Sequence, residues 1–181
     1  VDFEDIHSLQ NALNGVEEVY HCAAKVSFHP KDEKEMYQTN IECTKQLLFA
    51  CQNSSVKKFL FVSSIAVLDG LNENGELDES SDFNPKIDHS AYAISKHFSE
   101  MEVWRASAEG LNTVIVNPGL IIGSGNWKES SGTLFMEFEK NDYTFSGGTS
   151  YVDVRDVAQI SIELMEKNIF GERFILFSEN I

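Results

Sequence analysis

Phe59-Leu60-Phe61-Val62-Ser63-Ser64 is the stretch whose reading decides the fold. Four large apolar residues in a row cannot alternate between core and solvent. A strand built from them is covered on both faces, as parallel strands are. The two serines that stop the run are small and polar and mark its end. Residues 113–116 and 174–177 read the same way, and a fourth strand is expected at residues 19–22. Helical patterns fill the gaps. Ile6, Leu9 and Leu13 mark a short first helix. Residues 31–53 read as one helix, with Met36, Asn40, Cys43, Leu47 and Cys51 on one stripe and Ile41 and Leu48 beside it. A third helix is expected over residues 90–108. A last one, over residues 154–166, is expected to face inward through Val154, Val157, Ala158, Ser161, Leu164 and Met165. Asp153 is its N-cap and Asp156 falls in its first turn. Strand and helix in alternation at this spacing imply right-handed crossovers and an open parallel sheet.

Composition agrees. The chain has 181 residues, 42% apolar and 24% charged, which suits one globular domain with a sizeable core. Fourteen basic residues face 29 acidic ones, a net charge of −15. Neutralising phosphates requires clustered Lys and Arg, so nucleic acid and anionic membrane surfaces are not expected partners. No apolar run approaches the ~18 residues of a membrane span, and no signal peptide is expected. Cys22, Cys43 and Cys51 form no C-x-x-C and no zinc-ligand spacing, so no metal is expected. They read as half-buried free thiols in a reducing compartment, which makes cytoplasm the expected location. The chain opens at Val1 without a Met and ends soon after its last strand, so a piece of a longer protein is expected.

Two segments read as irregular. Residues 69–82 carry Asp69, Glu73, Glu76, Asp78, Glu79 and Asp82 and no basic residue. The plain reading is a solvated loop, and the alternative is a lid or rim beside a site. Residues 123–131 are rich in Gly and Ser, but Gly123-Ser124-Gly125 does not continue as G-x-G-x-x-G, because position 128 is Lys.

In an open parallel sheet, ligands bind beyond the carboxyl ends of the strands. Just past the first three expected strands lie Ala23 and Ala24, then Ser63 and Ser64, then Asn117, Pro118 and Gly119. Small residues and hydroxyls on one edge make a crevice for a planar cofactor. The helix after the second strand carries Tyr92 and Lys96, at i and i+4 on one face. An ammonium beside a phenol favours the phenolate, so Tyr92 is expected to titrate below its usual 10 and to exchange a proton near neutral pH. The alternative is a solvated helix face. Asn40, on an apolar stripe, must find buried partners. It either ties down a neighbouring loop or serves the site.

These residues together resemble the extended short-chain dehydrogenases/reductases. That family includes sugar epimerases, dihydroflavonol reductases and hydroxysteroid dehydrogenases. Val19-Tyr20-His21-Cys22-Ala23-Ala24 resembles its strand ending in His-x-Ala-Ala. Asn40-Ile41-Glu42-Cys43-Thr44 resembles Asn-x-x-Gly-Thr with Cys43 in place of Gly. Phe61 to Val67 resembles the strand that carries the catalytic serine, and Tyr92-Ala93-Ile94-Ser95-Lys96 matches Tyr-x-x-x-Lys. Asn117-Pro118-Gly119-Leu120-Ile121-Ile122-Gly123 resembles the turn against the nicotinamide. Tyr151 to Ala158 resembles the Asp-Val-Arg-Asp-Val-Ala segment of the substrate side. Val1-Asp2-Phe3 resembles the end of a third strand, where the Asp meets the adenine. Roughly the first third of the usual nucleotide domain, with its Gly-rich turn, precedes that point in the family.

The resemblance implies an α/β, Rossmann-like doubly wound parallel sheet, here incomplete, with part of a small C-terminal substrate-binding region. It divides into a partial dinucleotide-binding domain (1–120), a substrate-side segment (121–153) and a helix and strand returning to the sheet (154–181). It implies NAD or NADP as cofactor, bound through Asp2, Phe3, Ala23, Ala24, Tyr92, Lys96, Pro118, Gly119, Leu120 and Ile121. Ser64, with Ser63 as rival, holds the reacting oxygen. Tyr92 is the general acid/base, Lys96 tunes it and holds the nicotinamide ribose, and Asn40 orients the central helix or a bound water. The implied activity is reduction of a carbonyl, or oxidation of a secondary alcohol, of a small molecule. The Asn-Pro-Gly turn and the scarcity of basic residues over 123–150 favour the reductase-like branch. A nucleotide-sugar epimerase or dehydratase is the alternative, and a non-catalytic NAD(P)-binding sensor or scaffold the alternative of another class. A homodimer is compatible with this reading.

Overall fold

In a computed structural model, the chain is described over residues 1–27, 29–124, 140 and 148–180. The strands are β1 (Glu18–His21), β2 (Lys58–Val62), β3 (Asn112–Pro118), β4 (Leu120–Ile122), β5 (Ser150–Asp153), β6 (Glu172–Leu176) and β7 (Glu179–Asn180). The α-helices are α1 (Ile6–Ala12), α2 (Glu33–Tyr37), α3 (Cys43–Gln52), α4 (Ala91–Ala108) and α5 (Val154–Glu166). Among the described residues, the main sheet runs β1-β2-β3-β6, parallel throughout, with Phe61 opposite both His21 and Ile115.

The apolar run of β2 is used as its composition requires. Phe59 and Phe61 point to one face and pack with Leu9, Leu47, Leu48, Val103 and Ile115 under α1, α3 and α4. Leu60 points to the other and packs with Val114, Val116, Leu164 and Met165 under α5. Burial of each such side chain stabilises the fold by ~1.5–3 kcal/mol relative to exposure.

The caps fall where side-chain chemistry puts them. Ser90 accepts from Ala93 N–H at the start of α4, and Asp153 accepts from Arg155 N–H at the start of α5. The helix expected over 31–53 runs without interruption over residues 30–52, opening as a 3₁₀ turn (Pro30–Asp32) and carrying a π turn (Gln38–Glu42) between α2 and α3. Other expectations are corrected. Val154 and Ala158 are exposed, because the inner face of α5 runs through Val157, Ser161, Leu164 and Met165. Val1, Asp2 and Phe3 lie outside the strands of the described residues. Asp2 is exposed and closes a local turn, its carboxylate accepting from Glu4 N–H. The thiols also differ from one another: Cys22 is exposed, Cys43 half-buried and Cys51 buried. Burial pushes the Cys51 thiol up to about 12.

Sequence reasoning missed a second, three-stranded sheet of described residues. In it β4 pairs parallel with β5, and β5 antiparallel with β7. Its strands are two to four residues long, too short for a periodicity to register. The segment expected to contact substrate, 123–150, falls mostly outside the described residues, as does Gly125 of the Gly-Ser stretch.

Candidate active site

The end of β2 organises the site. Ser63 N–H donates to the Val116 carbonyl, which continues the ladder by one residue. Ser63 is buried, and its hydroxyl has no partner among the described residues. The pleat then turns Ser64 the other way. Its hydroxyl accepts from Ala66 N–H at 3.2 Å, capping a 3₁₀ turn over Ile65–Val67, and its proximity lowers the pKa of the Tyr92 phenol. Of the two rival serines, Ser64 is the one brought to Tyr92.

Tyr92 and Lys96 share one face of α4, as their spacing requires. Lys96 is only 1% exposed, and its ammonium donates to the Val62 carbonyl at 2.7 Å and lies 4.1 Å from the Phe61 ring centroid. Burial pulls its pKa from 10.5 down to about 7, against the opposing charges of Glu100 and Cys22. The expected phenolate-stabilising effect on Tyr92 is not what this geometry produces. Burial raises the Tyr92 pKa above its ordinary 10, and the Ser64 hydroxyl opposes this only in part. The Lys96 ammonium spends its hydrogen bond on the end of β2 instead.

Asn40 sits in the π turn with its amide fully engaged. Its Oδ1 accepts from Lys25 N–H at 2.7 Å, and its Nδ2 donates to the Lys25 carbonyl and to Ser95 Oγ, each at 2.9 Å. Its own carbonyl accepts from Ser99 Oγ at 2.6 Å. π turns recur at functional sites, because the widened backbone frees groups for tertiary bonds. Here Asn40 ties the segment after β1 to α4, which is the loop-tying alternative read from the sequence.

Ala23 and Ala24 lie on that tied segment, exposed beyond the end of β1. Before them, His21 is buried, bonded to Thr44 Oγ1 at 2.8 Å, and held neutral by burial, with its pKa lowered to about 4. Phe3 and Ala23 share the lining of an apolar cavity of about 360 Å³ beside β1. Pro118 is buried at the end of β3, and Leu120 and Ile121 are half-buried in β4. At Gly119 between them, a Cβ would stand 2.6 Å from the Ser150 carbonyl oxygen, so the two sheets meet there only through a glycine.

Sequence reasoning did not single out Glu100, and it read Asn117 only as the start of the Asn-Pro-Gly turn; both are buried. Asn117 Nδ2 donates to the Ser64 carbonyl at 3.0 Å and to Glu100 Oε1 at 2.6 Å, and Glu100 in turn pairs with Arg173 at 3.3 Å. A Glu eight residues after Tyr92 and four after Lys96 was the available signal. The acidic segment 69–82 is anchored rather than free. Glu79 accepts from Ile175 N–H at the edge of β6, and Arg173 donates to the Ser81 carbonyl. No helix among the described residues is long and apolar enough to cross a membrane.

Comparison with known proteins agrees with this geometry. The model of the NAD dependent epimerase/dehydratase family matches residues 1–175. Sterol demethylase protein B of Methylococcus capsulatus is 30% identical over 182 residues, covering 99% of this chain and 55% of that protein. A putative dihydroflavonol 4-reductase of Synechocystis sp. is 28% identical over 180 residues, covering 96% and 52%. The crystal structure of gox2253 superposes with a TM-score of 0.90 at 31% identity, covering all of this chain and 56% of that one. The chain thus spans about half the length of the curated relatives it matches. With the family model matching nearly end to end over an α/β sheet of this topology, the chain belongs to the NAD dependent epimerase/dehydratase family.

Proposed function

We propose that this chain supplies the proton-transfer half of an NAD(P)-dependent oxidoreductase or epimerase that acts at one carbon–oxygen centre of a small molecule. The observation that carries the proposal is the Tyr92–Ser64 hydroxyl pair at the end of a central strand, with a buried ammonium one helical turn further along α4. A phenol held above its ordinary range keeps its proton near neutrality, which suits donation to a carbonyl oxygen. Ser64 bonds the same oxygen and orients it. Asn40 is a positioning residue, since its amide is spent on Lys25 and Ser95.

The residues present fit the nicotinamide end of NAD or NADP. Ala23 and Ala24 are small and exposed where a flat ring must approach backbone, and Lys96 and Tyr92 flank the same edge. In this reading Pro118 at the end of β3, Gly119, and Leu120 and Ile121 of β4 would close it from the other side. No G-x-G-x-x-G occurs in these 181 residues, so the fit extends to the nicotinamide and not to the pyrophosphate. When bound, the nicotinamide supplies the hydride donor or acceptor.

Of the two finer expectations, the nucleotide-sugar epimerase or dehydratase has the broader support, from the description of the family itself. The reductase-like reading is favoured by the dihydroflavonol 4-reductase relative. One assay separates them. The whole protein is incubated with NAD or NADP and a nucleotide hexose, and separately with NADH or NADPH and a panel of carbonyl compounds. Sugar interconversion without net change in nicotinamide absorbance supports the first, and stoichiometric loss of reduced cofactor supports the second. Failure to bind any nicotinamide nucleotide would refute both.

A further inference from the structure

The most unusual feature of α4 is how polar its buried face is. Ser95, Lys96, Ser99 and Glu100 are all buried. A buried carboxylate is costly unless its oxygens are bonded and its charge is paired. Glu100 meets both conditions, and its partners lead to the site. Oε1 accepts from Asn117 Nδ2, and the same amide nitrogen donates to the carbonyl of Ser64. Oε2 pairs with Arg173, which is bound in turn to the Ser81 carbonyl and lies near the Trp104 ring. Four residues before it on the helix stands Lys96.

We propose that Glu100 is the positioning residue of this site: through Asn117 it fixes the turn that presents Ser64 to Tyr92, and its negative charge sustains the buried ammonium of Lys96. The catalytic meaning of this rests on the function proposed above. The groups that face Lys96 leave Glu100 the principal anion. His21 and Cys22 approach from β1 and its exit, and the Phe61 ring and the Val62 carbonyl from β2, while Tyr92 stands one turn before it on the same helix. Arg173 on β6 lies behind Glu100. His21 is neutral, and the Cys22 thiol is raised by burial.

The test reads protons rather than turnover, so its failure is distinct from failure of the proposed function. The Lys96 side-chain resonances, assigned with Lys96→Met, are followed against pH in the full chain. Glu100→Gln keeps an acceptor for Asn117 and removes the charge. It is expected to lower the Lys96 midpoint by about 1–3 pH units while leaving hydrogen exchange at Ala66 N–H, the donor to Ser64 Oγ, unchanged. Glu100→Ala is expected to lower the midpoint and also to speed that exchange. If Glu100→Gln does not fold, Glu100→Gln/Arg173→Gln exchanges the ion pair for two amides and carries the same titration. A Lys96 midpoint that stays in place in the Gln variants, or Ala66 exchange that stays slow in Glu100→Ala, would overturn the proposal.

Discussion

Replacing Lys96 by Met tests how the site is balanced, because it keeps the length of the side chain and removes the charge. In the folded chain burial holds Lys96 at about 7, whereas its ordinary value is 10.5. Between those two pH values the unfolded chain carries a proton that the folded chain has released. Stability therefore rises with pH across the window, by roughly 1.4 kcal/mol per pH unit. The full span amounts to about 5 kcal/mol, an upper figure for one group. Below about 7 both states hold the proton and the contribution is flat, at its least favourable. Lys96→Met has no such group, so the wild-type-minus-variant stability isolates the effect from the titration of 29 carboxylates elsewhere. The variant also leaves the Val62 carbonyl without its donor, a pH-independent cost of ~1–3 kcal/mol. Urea unfolding of both proteins from pH 6 to 10 is the assay. The difference is expected to climb steadily in favour of the wild type above pH 7. Parallel stability curves over the whole range would refute the reasoning, because they would mean that Lys96 titrates alike in both states.

Three further outcomes are expected. Gly119→Ala drives a methyl against the Ser150 carbonyl and should destabilise by ~1–3 kcal/mol, with the second sheet loosened first, as hydrogen exchange at Tyr151 and Val152 would report. Asn40→Leu should cost on the order of 2–4 kcal/mol by thermal or urea unfolding, since it strips partners from both backbone groups of Lys25. The Tyr92 phenol should ionise above pH 10 in an ultraviolet difference titration against Tyr92→Phe, and in Ser64→Ala it should ionise higher still, because the hydroxyl that lowers it is gone.

What could be read from sequence was whatever a one-dimensional pattern encodes. The apolar run of β2 announced a doubly covered strand, and Asp153 announced a helix start through its cap chemistry. The Tyr92–Lys96 spacing placed both on one face of α4. What could not be read depended on burial in three dimensions. The sign of the Tyr92 shift turned on desolvation outweighing a neighbouring charge, and no spacing reports that. Glu100 escaped because a helix face of Ser, Lys, Ser and Glu looks like a solvated one until a sheet is laid over it. The π turn at Asn40 escaped because one extra residue in a turn leaves the apolar stripe almost unchanged. The strand pairing of β4, β5 and β7 brings together segments some 30 residues apart, beyond the reach of local propensity.

The central claim is that Tyr92 passes the proton. Its most direct test is kcat of the whole protein carrying Tyr92→Phe, measured beside nicotinamide binding on the same preparation. The ring keeps its packing and only the hydroxyl goes, so cofactor affinity should hold while kcat falls by ~10²–10⁴. Near-native turnover in Tyr92→Phe, with binding intact, would contradict the account.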